Sequence, residues 1–97
     1  MAQLARFDVA QYGSAHMVVI ESDLLPADAA VVVVIPLLPD YPAVRHLNPE
    51  IVLEGRSLIL ATRLIAAVRR NSLRRVGNVA DHADRIIRAV DVLMSGV

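Results

Sequence analysis

The chain has 97 residues, of which 56% are apolar, and its ten Asp and Glu balance ten Arg with no Lys and no Cys. Zero net charge leaves no long-range pull toward nucleic acid or an anionic membrane, and the absence of Cys excludes a disulfide framework and thiolate chemistry, as suits a reducing cytoplasm. One domain spanning 1–97 is expected, with more apolar surface than so small a body hides, which points to a second copy or a partner.

From the N-terminus the first two-thirds has strand character. Leu4 to Ala10 and His16 to Glu21 are short apolar runs separated by the turn-like Tyr12-Gly13-Ser14. Ala29 to Leu38 holds four successive Val and an Ile, the composition of a strand covered on both faces. It is also the longest apolar run, and at about ten residues it is half the roughly 20 that a membrane helix needs. Pro36 within it cannot donate to a ladder, so it marks a strand edge, a bulge or an end. Pro39 to Pro49 carries three prolines and Asn48 and reads as a loop. Glu50 to Glu54 and Ser57 to Thr62 flank Gly55-Arg56 as a hairpin. Arg63 to Val76 is ambiguous: LIAAV has helical propensity, while a strand fits Leu73 to Val76. The strands together are expected over about residues 4–76.

The closing segment predicts an amphipathic helix over about 82–95. Asp81 is placed as its N-cap, with Asp84 three residues on in a capping-box arrangement, and both carboxylates sit at the positive end of the helix dipole. Ile86, Ile87, Val90, Leu93, Met94 and Val97 follow helical spacing as one apolar stripe, with Arg85, Arg88 and Asp91 off it toward water. Gly96 is where a C-cap glycine ends the helix. The N-terminus lacks the basic-then-apolar order of a signal peptide.

Signatures of enzymes are missing, and no catalytic role is expected. His16, His46 and His82 lie too far apart to share metal-ligand spacing, so no metal site is expected. Gly13, Gly55, Gly77 and Gly96 are isolated and form no phosphate-cradling loop; no Ser has a G-x-S-x-G setting. No cofactor is implied. Arg69, Arg70, Arg74 and Arg75 form a basic cluster with two readings, a solvated surface or a grip on an acidic partner segment. One Phe, two Tyr and no Trp leave little for stacking on single-stranded nucleic acid.

A set of short strings, in order along nearly the whole chain, resembles the CcdB family. Phe7-Asp8-Val9 is similar to its opening strand. Val19-Ile20-Glu21-Ser22-Asp23-Leu24-Leu25 is close to its V-x-Q-S-D-L-L, with Glu21 where Gln is usual. Val33-Val34-Ile35-Pro36-Leu37-Leu38 matches V-V-I-P-L, Leu47-Asn48-Pro49 matches L-N-P, and Leu58 to Thr62 resembles L-x-x-x-T. Val76-Gly77-Asn78-Val79 fits the lead into the helix. His82, Arg85, Ile86, Ala89, Asp91, Leu93 and Gly96 fit its closing H-x-x-R-I-x-x-A-x-D-x-L-x-x-G.

The resemblance implies a mainly β fold of SH3-like barrel type, with a five-stranded antiparallel sheet, a smaller sheet and one C-terminal helix, assembled as a homodimer. It implies a non-catalytic toxin that binds the DNA gyrase A subunit and traps the cleaved gyrase–DNA complex. A CcdA-like antitoxin with a disordered tail would neutralise it by folding over the dimer. Carried over residue by residue, the gyrase-binding positions are Leu24, Leu25, Asp91, Met94, Ser95, Gly96 and Val97. Arg69, Arg70, Arg74 and Arg75 are the positions assigned to an acidic antitoxin tail. Asp91 stands where the best-studied branch has Asn, Met94 where it has Phe, and Ser95 where it has Trp. Losing that Trp removes an anchor worth about 2 kcal/mol, roughly thirtyfold in affinity. Two readings follow: a toxin with a modified tip, or a toxin-fold module that dimerises and binds antitoxin without poisoning gyrase. A third, from another class, is a small enzyme or nucleic-acid binder on an SH3-like barrel, which would need a convergent polar pocket or a stacking surface.

Overall fold

A computed structural model describes residues 3–25 and 29–96. Among the described residues seven antiparallel strands precede one α-helix: β1 (Asp8–Tyr12), β2 (Ala15–Val19), β3 (Val31–Leu38), β4 (Glu50–Leu53), β5 (Arg56–Leu60), β6 (Ala66–Arg69), β7 (Arg74–Asn78) and α1 (Ala83–Ser95). The first strand starts later than its apolar run, at Asp8, because Phe7 has φ of 70° and breaks the extended path.

The long Val-rich strand β3 organises the sheet. Its first half pairs with β6 (Val31↔Arg69 to Val34↔Ala66) and its last two residues pair with β5 (Leu37↔Leu60, Leu38↔Ile59), while β2 runs along the other side. The result is a five-stranded array, β6-β3-β2-β1-β7, joined through β3 to a smaller array, β3-β5-β4, in one curled, half-barrel sheet. The expected five-stranded sheet and smaller sheet are thus two arms of one sheet that share β3. Pro36 lies inside β3, opposite Met17, where β3 changes partner from β6 to β5. Ile20 N–H donates to Val33 O at 3.1 Å, and the alternation of the ladder then places Pro36 at a non-hydrogen-bonded position against β2. The donor it lacks is therefore not missed on that side.

Both hairpins turn on two residues. Gly13 has φ of 60° between Tyr12 and Ala15. At the second, Leu53 pairs with Arg56, so the turn is Glu54-Gly55 rather than Gly55-Arg56. Positive φ at both, 51° and 78°, is the backbone of the hairpin turn that matches strand twist. Residues 64–68, with their helical propensity, instead end a 3-10 turn (Thr62–Leu64) and enter β6. A ladder partner in β3 decides the matter where propensity alone does not.

Alternation along the strands divides the buried side chains between two faces. Val9, Val18, Ile35 and Leu37 join Ile51, Leu58 and Leu60 of the hairpin and Ile86 and Ala89 of α1 in the larger core. Ala10, Met17, Val19, Val32 and Val34 point the other way and are covered by Leu4, Leu73 and the partly buried Val68. Val32 and Val34 of β3 serve the second core and Ile35 and Leu37 the larger one, while Val31 is 46% exposed, so β3 carries apolar residues on both faces and does not alternate with polar ones.

The helix differs from its predicted form in two ways. Asp81 is not the N-cap: it lies in a 3-10 turn (Ala80–His82), and the cap position is His82, with no side-chain capping bond. Capping is supplied from upstream, where Asn78 Oδ1 accepts from Ala80 N at 2.8 Å. The buried stripe is also narrower than predicted. Ile86 and Ala89 are buried and Val90 and Leu93 half-buried, while Ile87 and Met94 are 38% and 75% exposed. Ala89 is fully buried beside Ile86, so the contact line runs along 86, 89 and 93 and turns Ile87 and Met94 away. Gly96 ends the helix as expected, with φ of 73° and its N–H donating to Val92 O at 2.8 Å.

Candidate functional site

The residues assigned to gyrase that the structure describes fall on two surfaces, the turn after β2 and the end of α1. Leu24 and Leu25 follow β2, and at 95% and 52% exposed they are apolar side chains held out to solvent. Their backbone is nevertheless ordered by short-range bonds. Ser22 Oγ accepts from Leu24 N and Ser22 O from Leu25 N, both at 3.1 Å. Asp23 Oδ1 accepts from Arg6 N at 2.8 Å, tying the turn to the segment before β1.

The second surface is the end of α1. Asp91, Met94, Ser95 and Gly96 are exposed, while Ala89 and Ile86, about one and two turns before Met94, are buried in the core. Ser95 Oγ–H donates to Asp91 O at 2.7 Å, so the hydroxyl is turned back on its own helix. Val97 lies outside the described residues. Among the described residues no hydrogen bond or ion pair links the Leu24–Leu25 turn to the helix end.

Beside α1 runs a cleft of about 640 Å³, lined by Val44, Arg45, His46, Glu50, Asp84, Arg85 and Arg88 among others. His46, held at φ of 68°, reaches within 3.5 Å of Arg88 Nη1 through its Nδ1. Among the described residues no group of three or more His, Cys, Asp or Glu is placed to hold a metal ion. No helix there is long and apolar enough to cross a membrane.

The arginine cluster does not hold together as one surface. Arg69 is exposed at the end of β6, at the rim of an apolar slot of about 300 Å³ formed by Tyr12, Met17, Val68 and Leu73. Arg74 is exposed and donates through Nη2 to Gln11 Oε1 at 2.9 Å. Arg75 is half-exposed and reaches Asp8 Oδ2 with Nε at 3.1 Å. Arg70 is a correction. It is only 3% exposed, beneath the connection between β2 and β3, and is not available to a partner's carboxylates from solvent. Its Nε donates to Ala29 O at 2.9 Å and its Nη2 lies 3.8 Å from Glu21 Oε2. Arg69 ends β6 and Arg70 opens the 3-10 turn that follows it (Arg70–Ser72), and of the two only Arg69 faces water.

The apolar slot under Tyr12 is the feature that reading the chain missed. Tyr12, Met17, Val68 and Leu73 come from four separate segments, and only their strand register brings them together. Tyr12 is 63% exposed beside the buried Met17, the one usable signal being an aromatic residue at a turn.

The family whose sequence model is described as CcdB protein matches residues 6–96, nearly the whole chain. A comparison with curated proteins finds no match.

Proposed function

The chain belongs to the CcdB family, and on that premise we propose that it is a toxin that acts by contact rather than catalysis. It grips the gyrase A subunit with the end of α1 and the Leu24–Leu25 turn, and holds the enzyme on cleaved DNA. One observation carries the reading: an exposed apolar side chain, Met94, stands on the last turn of a helix whose inner face is fixed in the core. A wedge must not yield when pressed into a partner, and a helix anchored at Ile86 and Ala89 meets that need. A CcdA-like antitoxin with an acidic tail is the proposed neutralising partner. Arg69, Arg74 and Arg75 are its contacts here, and the slot under Tyr12 takes an apolar side chain of the tail.

The second reading, a module that dimerises and binds antitoxin without poisoning gyrase, is favoured by Ser95. Its hydroxyl is spent on Asp91 O, so the tip offers neither an aromatic face nor a free donor at that position. A gyrase cleavage assay separates the two, using the intact chain, Ser95→Trp and a chain lacking Ser95 to Val97. The toxin reading expects the intact chain to trap cleaved DNA, Ser95→Trp to trap it at about thirtyfold lower concentration, and the shortened chain to melt normally but trap none. If neither the intact chain nor Ser95→Trp traps cleaved DNA, the module reading stands. If the shortened chain traps as well as the intact one, the helix end is not the contact.

A further inference from the structure

Arg70 closes the base of the turn that presents Leu24 and Leu25. After β2, Glu21 stands at the turn's N-terminal root, and Ala29 and Ala30 stand at its C-terminal root just before β3. One residue holds both roots. The Arg70 backbone N–H donates to Ala30 O at 3.0 Å and its Nε to Ala29 O at 2.9 Å, while Nη2 lies 3.8 Å from Glu21 Oε2. The side chains of Arg70 and Glu21 are 3% and 13% exposed. Among the described residues Nη1 is buried without a hydrogen bond, and the Glu21 carboxylate is the counter-charge that faces the guanidinium.

We propose that Arg70, paired with Glu21, is a positioning residue: it fixes the two ends of this connection so that Leu24 and Leu25 are presented to the gyrase partner in one arrangement. The proposal rests on the gyrase reading above for what the leucines touch, and on the geometry alone for the clamp. A loop whose ends are fixed has fewer conformations to lose on binding, and apolar side chains as exposed as these gain most from that ordering. Ser22 orders the turn internally and Asp23 ties it to Arg6, while Arg70 holds the two roots together. Arg70 is thus removed from the antitoxin contacts and given a different task.

The test combines amide exchange with binding. Arg70→Met and Glu21→Gln are compared with Arg63→Met, a change at an exposed arginine outside either surface. Exchange is read at Arg6, Leu24 and Leu25 against Val9 and Val18 in the core strands, and purified gyrase A subunit is titrated in parallel with Leu24→Ala as reference. The clamp expects exchange about tenfold faster at Leu24, Leu25 and the Arg6 amide bonded to Asp23 in Arg70→Met, with Val9 and Val18 unchanged. It also expects gyrase A binding weakened as much as by Leu24→Ala, with no further loss when the two are combined. Arg63→Met should leave both readings alone. Unchanged exchange in a folded Arg70→Met overturns the proposal. If Arg70→Met does not fold, Glu21→Gln, which keeps size and Arg70, decides it: exchange about threefold faster is expected, and none overturns it. Should the intact chain not bind gyrase A, or Leu24→Ala bind as well as it does, the gyrase reading fails while the exchange result still decides the clamp.

Discussion

Asp8 is buried at the start of β1, and its two carboxylate oxygens have separate tasks. Oδ1 accepts from Asn78 Nδ2 at 2.9 Å, joining β1 to β7, and Oδ2 accepts from Ala5 N at 2.8 Å and faces Arg75 Nε at 3.1 Å. The carboxylate is buried while Arg75 is half in water, so the two ends of the pair are unequal. Asp8→Ala removes a buried acceptor from two part-buried hydrogen bonds and should cost about 2 kcal/mol, a fall of roughly 10 °C in melting temperature. Arg75→Ala leaves Asp8 with its other two donors and should cost about 1 kcal/mol or less. Equal losses on thermal melting would mean that the ion pair, not the hydrogen bonds, holds this corner. Little of this was legible beforehand. Phe7-Asp8-Val9 was visible as a motif, but Asp8 as a buried organiser depends on Asn78, which only the β1–β7 ladder brings near. Glu21 and Arg70 teach the same point: each was noted separately, and nothing in their spacing along the chain joins them.

Among the elements, α1 was the most legible and its details the least. Periodic apolar residues and a C-cap glycine follow from local physics, and both ends of the predicted span agree with Ala83–Ser95 to within a residue. Which side of the stripe meets the sheet was not legible, because Ala89 carries little hydrophobic signal and yet sits at full burial. Two comparisons follow. Ile86→Ala should cost about 3 kcal/mol by opening a cavity in the larger core, whereas Ile87→Ala at an exposed position should cost under about 1 kcal/mol. Asp81→Ala should cost no more than about 0.5 kcal/mol, less than the roughly 1 kcal/mol of a true N-cap. Chemical denaturation with unchanged slope would report all three; a loss of 1 kcal/mol or more at Asp81 would restore it to the cap. The strand β6 was hidden for the opposite reason. Its residues favour a helix locally, and only pairing with the first half of β3 holds them extended.

At the scale of the whole molecule, the apolar excess has two destinations. Most of it is absorbed within the chain, since β3 supplies both cores and each face of the sheet is covered by the chain's own segments. That was only half legible: a strand buried on both faces was expected from its four Val, but the second core built with Leu4, Leu73 and Val68 was not. What remains outside includes Val52 on β4, Leu64 in the turn after β5, and Ile87 and Met94 on α1, all at least 38% exposed. Scattered apolar side chains are ordinary on a small protein, but this many on one of 97 residues favours covering some of them with a second copy. A homodimer is therefore expected, with sedimentation equilibrium at micromolar concentration giving about twice the 10.5 kDa chain mass. Mass action supplies a second reading of the same equilibrium. If folding is coupled to pairing, each tenfold rise in protein concentration adds about 1.4 kcal/mol to the dimer, a rise in melting temperature of roughly 3–5 °C for some 200 residues unfolding together. A chain that sediments as a monomer at tens of micromolar, with a melting temperature independent of concentration, would leave Val52, Leu64 and Ile87 to solvent and defeat the dimer.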